Sequence, residues 1–326
     1  MRADGNDPAA IEHGARLLAE GQLVAFPTET VYGLGARADD DAAVARIFAA
    51  KGRPADHPLI VHVVRAADAQ VYASRMPEVA ARLIEAFWPG PLTVIVPRVP
   101  SVGRAAAGGQ DSIGLRCPSH GVAQRLLQAA RGLGVKGVAA PSANRFGRIS
   151  PTSAAHVEAA FGESLFVLDG GECQVGIESS IVDCSRGRPV LLRPGVLPRE
   201  RIEAAVGEVL LEPDADAPRA SGTLEAHYAP QAKLRLMSGP QLRTALELLG
   251  RNGPRLGVYS RSLPAHAAPG MALRRMPSRP EAAAHELYSV LHELDTEGVQ
   301  LIWVEEPPPD PEWDGVRDRL RRAAAA

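Results

Sequence analysis

Two short loops carry side chains whose types and spacing suit a phosphorylated ligand. Lys51 and Arg53 lie two residues apart, after a predicted helix, in a loop that a glycine and a proline make irregular. Arginine binds phosphate oxygens as a two-pronged donor and lysine as a compact charge, so the pair suits a polyphosphate. Ser142 and Asn144 follow a predicted strand, and alternate residues of an extended segment point the same way. The pattern therefore predicts a hydroxyl and an amide that face one cavity.

Each of these motifs also has an ordinary structural interpretation. A lysine at a helix C-terminus can compensate the helix dipole, and serine and asparagine are common in turns. Three further stretches add polar groups at strand ends: a hydroxyl- and glycine-rich loop at 27–35, the segment 176–183, and Arg193 at a strand exit. Together the five stretches favour one binding site over five unrelated turns.

Helix and strand signals alternate along about the first 200 residues, which is typical of an α/β domain. Apolar periodicity predicts helices over 8–20, 40–50, 77–87, 122–131, 152–161 and 198–206. Short apolar or β-branched runs predict strands at 23–26, 59–64, 92–96, 112–116, 138–140, 165–168, 180–183 and 190–193. Several of these strands are joined by loops too short for a crossover helix, so we expect a mixed sheet.

A change in composition near residue 210 predicts a domain boundary. The segment 212–222 is rich in Pro, Asp and Gly and lacks periodicity, which indicates a linker. Beyond it the pattern predicts strands at 233–237, 255–259 and 299–304 and helices at 240–249, 279–294 and 311–322. We therefore predict a first domain over 1–208, a linker over 209–230, and a smaller Rossmann-like α/β domain over 231–326.

The composition excludes several classes of protein. The chain has 326 residues, a net charge of −2 and 45% hydrophobic residues, which suits a globular protein and argues against a polycationic DNA coat. No stretch approaches the roughly 20 apolar residues of a membrane span. The sequence contains no Walker P-loop, no nucleophile elbow and no His-Glu-x-x-His motif. Sparse cysteines and an N-terminus without an apolar run lead us to expect a cytoplasmic protein without membrane contact.

Basic residues are concentrated in the segment 98–148. The single acid there is Asp111, against Arg98, Arg104, Arg116, Arg125, Arg131, Lys136, Arg145 and Arg148. A solvated surface with scattered arginines would give this pattern. A site for an anionic ligand would give it too, because several of these arginines flank strand ends and loops.

Taken together, the motifs resemble the YrdC-type L-threonylcarbamoyl-AMP synthases in their longer, two-domain form. The family's Lys-x-Arg and Ser-x-Asn tetrad stands here as Lys51, Arg53, Ser142 and Asn144, and its Pro-Thr-Glu-Thr loop is intact. The resemblance covers about residues 10–205 and continues through 227–230. It implies a YrdC-like first domain with an open, twisted, mixed sheet and helices. We expect the linker to lie across the cleft of that domain as a gate.

The resemblance implies an enzyme, a nucleotidyltransferase that condenses L-threonine, bicarbonate and ATP to L-threonylcarbamoyl-AMP and pyrophosphate. The product serves threonylcarbamoyladenosine formation in tRNA beside the anticodon. The tetrad supplies the catalytic residues. The residues implied for ATP are Lys51, Arg53, His57, Ser112, Ser142, Ser150, Arg193 and Tyr228. Those implied for threonine are Thr30, His62, Arg116, Ala140 and Ser180, with the arginine as the fork for the carboxylate.

The resemblance also implies a metal and partners. Mg²⁺ accompanies ATP and is held mainly by phosphates and water, without a dedicated protein metal site. A downstream threonylcarbamoyl transferase complex receives the product, and a weak RNA contact is compatible with the basic segment.

Two alternatives remain open on the sequence. An RNA-binding module without chemistry would use the basic segment, but 4% aromatic residues provide few platforms for stacked bases. Another ATP-dependent carbamoyl transferase, such as a domain of a hydrogenase-maturation enzyme, would carry acylphosphatase-like and zinc-finger segments, which this sequence lacks.

Overall fold

A computed structural model describes residues 1–249, 255–263 and 271–326 of the chain. These residues form two compact units. One consists of 1–146 with 150–223, and the other of 147–149 with 224–326. The first unit thus ends inside the segment that the sequence predicts as a linker.

The first unit alternates helices and strands as the sequence predicts. Its strands are β1 (Arg2–Asp4), β2 (Val24–Phe26), β3 (Gly33–Arg37), β4 (Ile60–His62), β5 (Leu92–Pro97), β6 (Ser112–Arg116), β7 (Val138–Ala139), β8 (Phe166–Asp169), β9 (Ser180–Asp183) and β10 (Val190–Arg193). Its helices are α1 (Pro8–Ala19), α2 (Asp41–Lys51), α3 (Glu78–Phe87), α4 (Gly121–Gly132), α5 (Ala154–Phe161) and α6 (Arg199–Val206), with a 3₁₀ helix at Ala66–Val71. The residues that flank α2 explain where this helix begins and ends. The Asp40 side chain caps the first N–H groups of α2, and Gly52 ends that helix in the left-handed conformation at φ 66°.

The ten strands form one mixed sheet in the order β1-β8-β2-β3-β7-β4-β6-β5-β9-β10. β4 is parallel to β6, β5 is antiparallel to β6, and β9 is parallel to β5. In this register His62 pairs with Arg116, and Leu92 pairs with Ser180. The sheet therefore brings three residues of the predicted threonine site to the same end of neighbouring strands.

The two faces of this sheet are covered differently. Helices α2, α3, α5 and α6 pack on one face around a large apolar core. On the other face, α1 and α4 cover the strands from β8 to β7. Leu211, Ala217 and Ala220 cover a smaller apolar cluster on β5, β9 and β10. Beside this smaller cover, a cleft lies over β4, β5, β6 and β9.

The second unit carries a smaller, wholly parallel sheet. Its elements are β11 (Lys233–Met237), α7 (Gly239–Leu249), β12 (Leu256–Ser260), β13 (Met271–Arg275), α8 (Pro280–Thr296), β14 (Leu301–Glu305), a 3₁₀ helix at Pro311–Trp313 and α9 (Asp314–Ala324). The strand order is β11-β14-β12-β13. The predicted class, a mixed-sheet α/β unit followed by a small Rossmann-like one, is confirmed. Among the residues described, no helix is both long and apolar enough to cross a bilayer.

The sequence does not predict β1, β3 or β13. β3 lies in the glycine-rich stretch that indicates a loop, because glycine has low strand propensity. In the structure, a Cβ on Gly35 would lie 2.7 Å from the ring of Phe26 and 2.8 Å from a methyl group of Val138. The missing side chain leaves room for the side chains of Phe26 and Val138 on the two neighbouring strands, and this packing overrides propensity.

Candidate active site

Lys51, the last residue of α2, is buried where that helix meets the loop after β7. It is 3% exposed. Its Nζ donates to the carbonyl oxygens of Ser142, at 2.6 Å, and Asn144, at 2.5 Å. The N–H of Phe146 donates to the carbonyl oxygen of Lys51 at 2.9 Å. Three members of the predicted tetrad therefore meet through backbone atoms.

The charge of Lys51 depends on its surroundings. Burial holds its pKa well below the usual range, and the positive charge of Arg53 lowers the pKa further. Glu178 acts in the opposite direction. An anion bound beside the ammonium group would favour its charged form. Lys51 is therefore a cation that a phosphate ligand would stabilise.

Arg53 and His57 pack around one aromatic ring. The guanidinium of Arg53 lies 5.8 Å from the centre of the Phe146 ring, and the His57 ring lies 5.5 Å from it. Nη2 of Arg53 donates to the carbonyl oxygen of Pro58 at 3.0 Å and to the hydroxyl of Ser221 at 3.4 Å. Burial, with the charge of Arg53, lowers the pKa of His57. These two members of the predicted ATP set belong to one loop, beside Lys51.

The prediction that Ser142 and Asn144 lie in an extended segment is wrong. The N–H of Asn144 donates to the carbonyl oxygen of Ser142 at 3.0 Å, which closes a tight turn in place of an extended segment. Asn144 is buried, and its Nδ2 donates to the carbonyl oxygen of Arg145 at 2.7 Å. Its Oδ1 lies 3.5 Å from Nζ of Lys51. The turn, not a strand, thus brings both residues to the lysine, and their catalytic role stays a prediction.

Glu178 is a buried acid for which the sequence predicts no role. It accepts a hydrogen bond from Oγ of Ser150, a predicted ATP residue, at 2.5 Å. Its negative charge also raises the pKa of Lys51. Glu178 therefore connects two members of the predicted ATP set. The signal in the sequence is an acid flanked by an apolar and a hydroxyl-bearing residue.

An open cleft lies over β4, β5, β6 and β9. Its lining includes Ser112 and Gly114 on the floor and the segment 219–221 as a wall. Gln110 holds this wall by two reciprocal bonds. Its Nε2 donates to the carbonyl oxygen of Arg219 at 3.1 Å, and its Oε1 accepts from the N–H of Arg219 at 2.8 Å. Part of the predicted linker therefore belongs to the first unit as a side of the cleft.

Arg193 binds the same wall from the end of β10. Its Nη1 donates to the carbonyl oxygen of Ser221 at 2.7 Å. Its Nε and Nη2 donate to the carbonyl oxygen of Ser179, at 3.1 Å, and to its hydroxyl, at 3.2 Å. Since Arg53 reaches the hydroxyl of Ser221, two buried cations of the predicted ATP set converge on one residue beside the cleft.

Arg116, the predicted fork for the threonine carboxylate, already has a carboxylate neighbour. Its Nη2 lies 2.7 Å from Oε1 of Glu29, and both side chains are 4% exposed. The other oxygen of Glu29 accepts from the N–H of Ser119 at 3.0 Å. Glu29 belongs to the Pro-Thr-Glu-Thr loop, and the sequence predicts no function for it. The pair makes Arg116 a charge-balanced group inside the first unit.

His62 lies beside Arg116 on the neighbouring strand. Burial lowers the pKa of His62 to about 3, with a further contribution from the charge of Arg116. Its Nδ1 lies 3.2 Å from the carbonyl oxygen of Ile60. This low pKa keeps the ring neutral, so only one of its two nitrogens donates a hydrogen bond.

This buried histidine should limit folding stability in acid. Its pKa is about 6.5 in an unfolded chain and about 3 in the folded unit, so the unfolded chain takes up the proton first as the pH falls. The His62 contribution to the free energy of unfolding should decrease below pH 6.5, by about 2 kcal/mol at pH 5, and stay constant at higher pH. Urea titrations of the wild type and His62→Gln at pH 5 and pH 7.5 measure it. Equal losses in the two proteins would contradict the prediction.

Three other predicted threonine residues lie close to these groups in the fold. Thr30 is wholly buried, and its Oγ1 lies 2.8 Å from Oγ1 of Thr28. The N–H of Ala140 donates to the carbonyl oxygen of Ile60 at 3.0 Å. Ser180 is wholly buried, and no residue that the structure describes bonds to its hydroxyl. A buried hydroxyl of this kind is available to a ligand.

Ser180→Ala should separate binding from stability. An unsatisfied buried hydroxyl costs roughly 1–3 kcal/mol, so its removal should leave the melting temperature unchanged or higher. If the hydroxyl binds threonine, the Kd for threonine should rise about 5–10-fold. Ser150→Ala is the matched control, because it removes a hydroxyl bonded to Glu178 and should lower the melting temperature. A destabilised Ser180→Ala with normal threonine affinity would assign Ser180 to the core.

Tyr228, the last predicted ATP residue, belongs to the second unit. It is 1% exposed and has φ 62°, in the left-handed region. Its ring lies 5.7 Å from that of Tyr288, and the guanidinium of Arg319 lies 5.4 Å from its centre. These contacts show how the second unit holds Tyr228. Its assignment to ATP stays a prediction.

The arginines of the segment 98–148 mostly bind protein groups. Arg98, which is buried, donates from Nε to the carbonyl oxygen of Gln110 and from Nη1 to those of Val99, Pro100 and Val102, all at 2.9–3.0 Å. Arg125 donates to the carbonyl oxygen of Gly5 at 3.0 Å, and Arg131 forms an ion pair with Asp68 at 3.0 Å. The interpretation of the whole segment as an anion site is therefore too broad.

Comparison with known proteins agrees with this architecture. Residues 16–195 match the Sua5, YciO and YrdC family model, which is described as "Telomere recombination". Residues 197–325 match a model described as "Threonylcarbamoyl-AMP synthase, C-terminal domain". Each model covers most of one part of the chain.

Relatives of known name match over nearly the whole length. A threonylcarbamoyl-AMP synthase of Pyrococcus abyssi is 40% identical over 96% of this chain and 94% of its own. One of Bacillus subtilis is 36% identical over 98% of this chain and 94% of its own. The crystal structure of P. abyssi Sua5 complexed with L-threonine superposes with a TM-score of 0.89 at 38% identity, covering 99% of this chain and 96% of that one. The chain therefore belongs to the Sua5, YciO and YrdC family, in the two-domain form that these relatives share.

Proposed function

We propose that this protein is an L-threonylcarbamoyladenylate synthase, which makes L-threonylcarbamoyl-AMP and pyrophosphate from L-threonine, bicarbonate and ATP. The observation that supports this most is the convergence of buried cations beside one cleft. Arg53 and Arg193 both bond to Ser221 in the wall of the cleft, and the charge of Arg53 acts on Lys51. A relative that binds L-threonine and shares the full-length fold supports the choice of amino acid.

The reaction requires the protein to position the reactants more than to form covalent bonds with them. The amine of threonine first attacks bicarbonate to give a carbamate and water. An oxygen of the carbamate then attacks the α-phosphorus of ATP, and pyrophosphate leaves with the electron pair of the broken P–O bond. The protein must hold three reactants in line and offset the charge of the phosphates.

Different cationic residues would bind the triphosphate and the threonine carboxylate. Lys51, Arg53 and Arg193 would bind the triphosphate, and the bound anion would return Lys51 to its charged form. Arg116 would hold the threonine carboxylate beside the neutral ring of His62. The wall at 219–221 would exclude water from the product, a mixed anhydride that hydrolyses readily.

The donor groups present fit a magnesium ion that arrives with ATP. Among the described residues, no group of three or more His, Cys, Asp or Glu side chains could hold a metal alone. Mg²⁺ typically uses one or two carboxylates together with substrate phosphates and water. Glu178, whose charge acts on Lys51, is the protein carboxylate that would serve. When bound, the ion would neutralise charge on the phosphates.

We further propose that the reaction belongs to tRNA modification in the cytoplasm, and that a threonylcarbamoyl transferase complex consumes the product. Cys117, Cys173 and Cys184 are buried free thiols, which suit a reducing compartment. A weak contact with RNA is part of this proposal.

Pyrophosphate release by the full chain tests the reaction. We expect release that requires ATP, Mg²⁺, L-threonine and bicarbonate together, and a threonine-containing AMP anhydride detected by mass spectrometry of the rapidly quenched mixture. Omission of any one reactant is the control. Release without threonine, or release supported by carbamoyl phosphate in place of bicarbonate, would refute the proposal in favour of another ATP-dependent transferase.

A further inference from the structure

A short turn at residues 28–30 contacts the predicted amino-acid site in two ways. Glu29 forms the buried pair with Arg116, and both of its carboxylate oxygens are engaged, one by the guanidinium and one by the N–H of Ser119. The backbone of the turn is also fixed, because the carbonyl oxygen of Glu29 accepts from the N–H of Val175 at 2.7 Å. Glu29 is therefore held in one position from three directions.

The ion pair between Glu29 and Arg116 uses one edge of the Arg116 guanidinium and leaves a second edge for another ligand. Nε of Arg116 donates to the carbonyl oxygen of Gly90 at 3.3 Å, and Nη2 donates to Glu29. Nε and Nη2 form the side edge of the group. The end edge consists of Nη1 and the second hydrogen of Nη2, and no residue in the described part of the chain accepts from Nη1. A guanidinium binds a carboxylate through two parallel N–H groups, so the end edge suits a second carboxylate.

Thr28 fixes the direction of a second hydrogen bond. Its hydroxyl donates its only proton to the carbonyl oxygen of Val31 at 2.7 Å. In the 2.8 Å contact between the two threonine hydroxyls, Thr30 must therefore be the donor. The N–H groups of Thr30 and Val31 share the Thr28 oxygen at the longer distance of 3.2 Å. The lone pairs of the Thr30 oxygen are left to accept from a ligand.

We propose that Glu29 and Thr28 are positioning residues that give the amino-acid site its polarity. Glu29 holds Arg116 so that its end edge receives the carboxylate, and Thr28 holds Thr30 as an acceptor for the amine. The site then recognises an α-amino acid by both of its ends. This inference rests on the proposed function, because it takes Arg116 and Thr30 as the residues that touch threonine.

A purely electrostatic role for Glu29 predicts the opposite result. If its charge merely neutralises Arg116, its removal strengthens the attraction for an anionic substrate, and Glu29→Gln binds threonine more tightly. If Glu29 positions the guanidinium, the amide cannot accept from both Arg116 and Ser119, and binding weakens. Glu29→Asp separates the two roles again, because it keeps the charge but is one methylene too short to keep both bonds.

Calorimetric titration of the full chain with L-threonine and, separately, with ATP tests the first half. We expect Glu29→Gln and Glu29→Asp each to raise the Kd for threonine about tenfold and to change the Kd for ATP less than twofold. Asp183→Asn is the matched control, since Asp183 is another buried acid that accepts from an arginine, Arg186, and from a backbone N–H. It should leave threonine binding within twofold of the wild type. Threonine affinity that is unchanged or higher in either Glu29 variant would overturn the positioning role.

The second half is tested with an analogue that carries a hydroxyl in place of the amine, 2,3-dihydroxybutanoate. A hydroxyl both donates and accepts, whereas an ammonium group only donates. Thr28→Val frees the Thr30 hydroxyl to rotate, so the preference for threonine over the analogue should fall about tenfold, and Thr28→Ser should restore it. An unchanged preference in Thr28→Val would overturn the assignment. Wild-type pyrophosphate release is scored separately, so a failed reaction is not confused with a failed positioning role.

Discussion

Lys51→Ala should lower the rate of threonine-dependent pyrophosphate release by about 10²–10³-fold, which is the loss typical of one preorganised charge or donor at a reacting group. The side chain is 3% exposed and bonded to two carbonyl oxygens. A water molecule in place of the lysine side chain would carry no positive charge to offset the charge of the phosphates. A coupled pyrophosphate assay at saturating ATP and threonine measures the change in kcat.

Two controls separate the loss of the Lys51 charge at the active site from a disrupted C-terminus of α2. Lys136→Ala removes the same charge from an exposed position and should keep full activity. The melting temperature of Lys51→Ala must also be measured, because the variant loses both bonds to the turn after β7. If Lys51→Ala were stable and released pyrophosphate at close to the normal rate, the lysine would serve only the C-terminus of α2.

Arg116→Ala should raise the Kd for threonine about 100-fold or more and leave the Kd for ATP within about threefold. Truncation of one partner of a buried, hydrogen-bonded charge pair typically costs 2–5 kcal/mol. The end edge of the guanidinium is the group that we assign to the substrate carboxylate. Separate titrations with the two ligands give both constants, and equal losses for both would contradict the assignment.

The same variant should be less stable, for a separable reason. Glu29 would remain buried with its charge unpaired, which costs roughly 3–5 kcal/mol. The double variant Arg116→Ala with Glu29→Gln should regain much of the stability and none of the threonine affinity. Recovery of binding together with stability would mean that the binding defect was a folding defect.

Sequence reasoning predicts most of the first unit because its elements are locally consistent. The helix at 41–51 has an aspartate cap, an apolar face and a terminal glycine, and each feature is visible in the sequence. It fails where packing replaces propensity, as in β3, whose glycines enter the sheet because neighbouring side chains fill their space. The charged residues of β13 likewise give no alternation to detect, although the strand pairs fully with β12.

The candidate site shows a similar limit. The spacing of charges predicts Lys51 and Arg53 as site residues, because that spacing is a property of the sequence, and the family resemblance adds Arg116. They do not identify Glu29 or Glu178, because a buried acid is recognised by the distant cation or hydroxyl that it contacts. Arg116 is 87 positions from Glu29 and Ser150 is 28 from Glu178. Contacts of this range follow from the order of the strands, which no local pattern specifies.

The way Arg98 is bonded has a consequence for engineering the protein. Its guanidinium closes the loop between β5 and β6 by donating to four carbonyl oxygens, and that loop carries Gln110, the residue that holds the wall of the cleft. A lysine has three donors on one atom and cannot span these acceptors. A variant library that exchanges arginine for lysine to alter solubility must therefore leave position 98 unchanged. The exchange would be neutral in net charge and would still reshape the cleft, because Arg98 holds Gln110, one of the residues that line it.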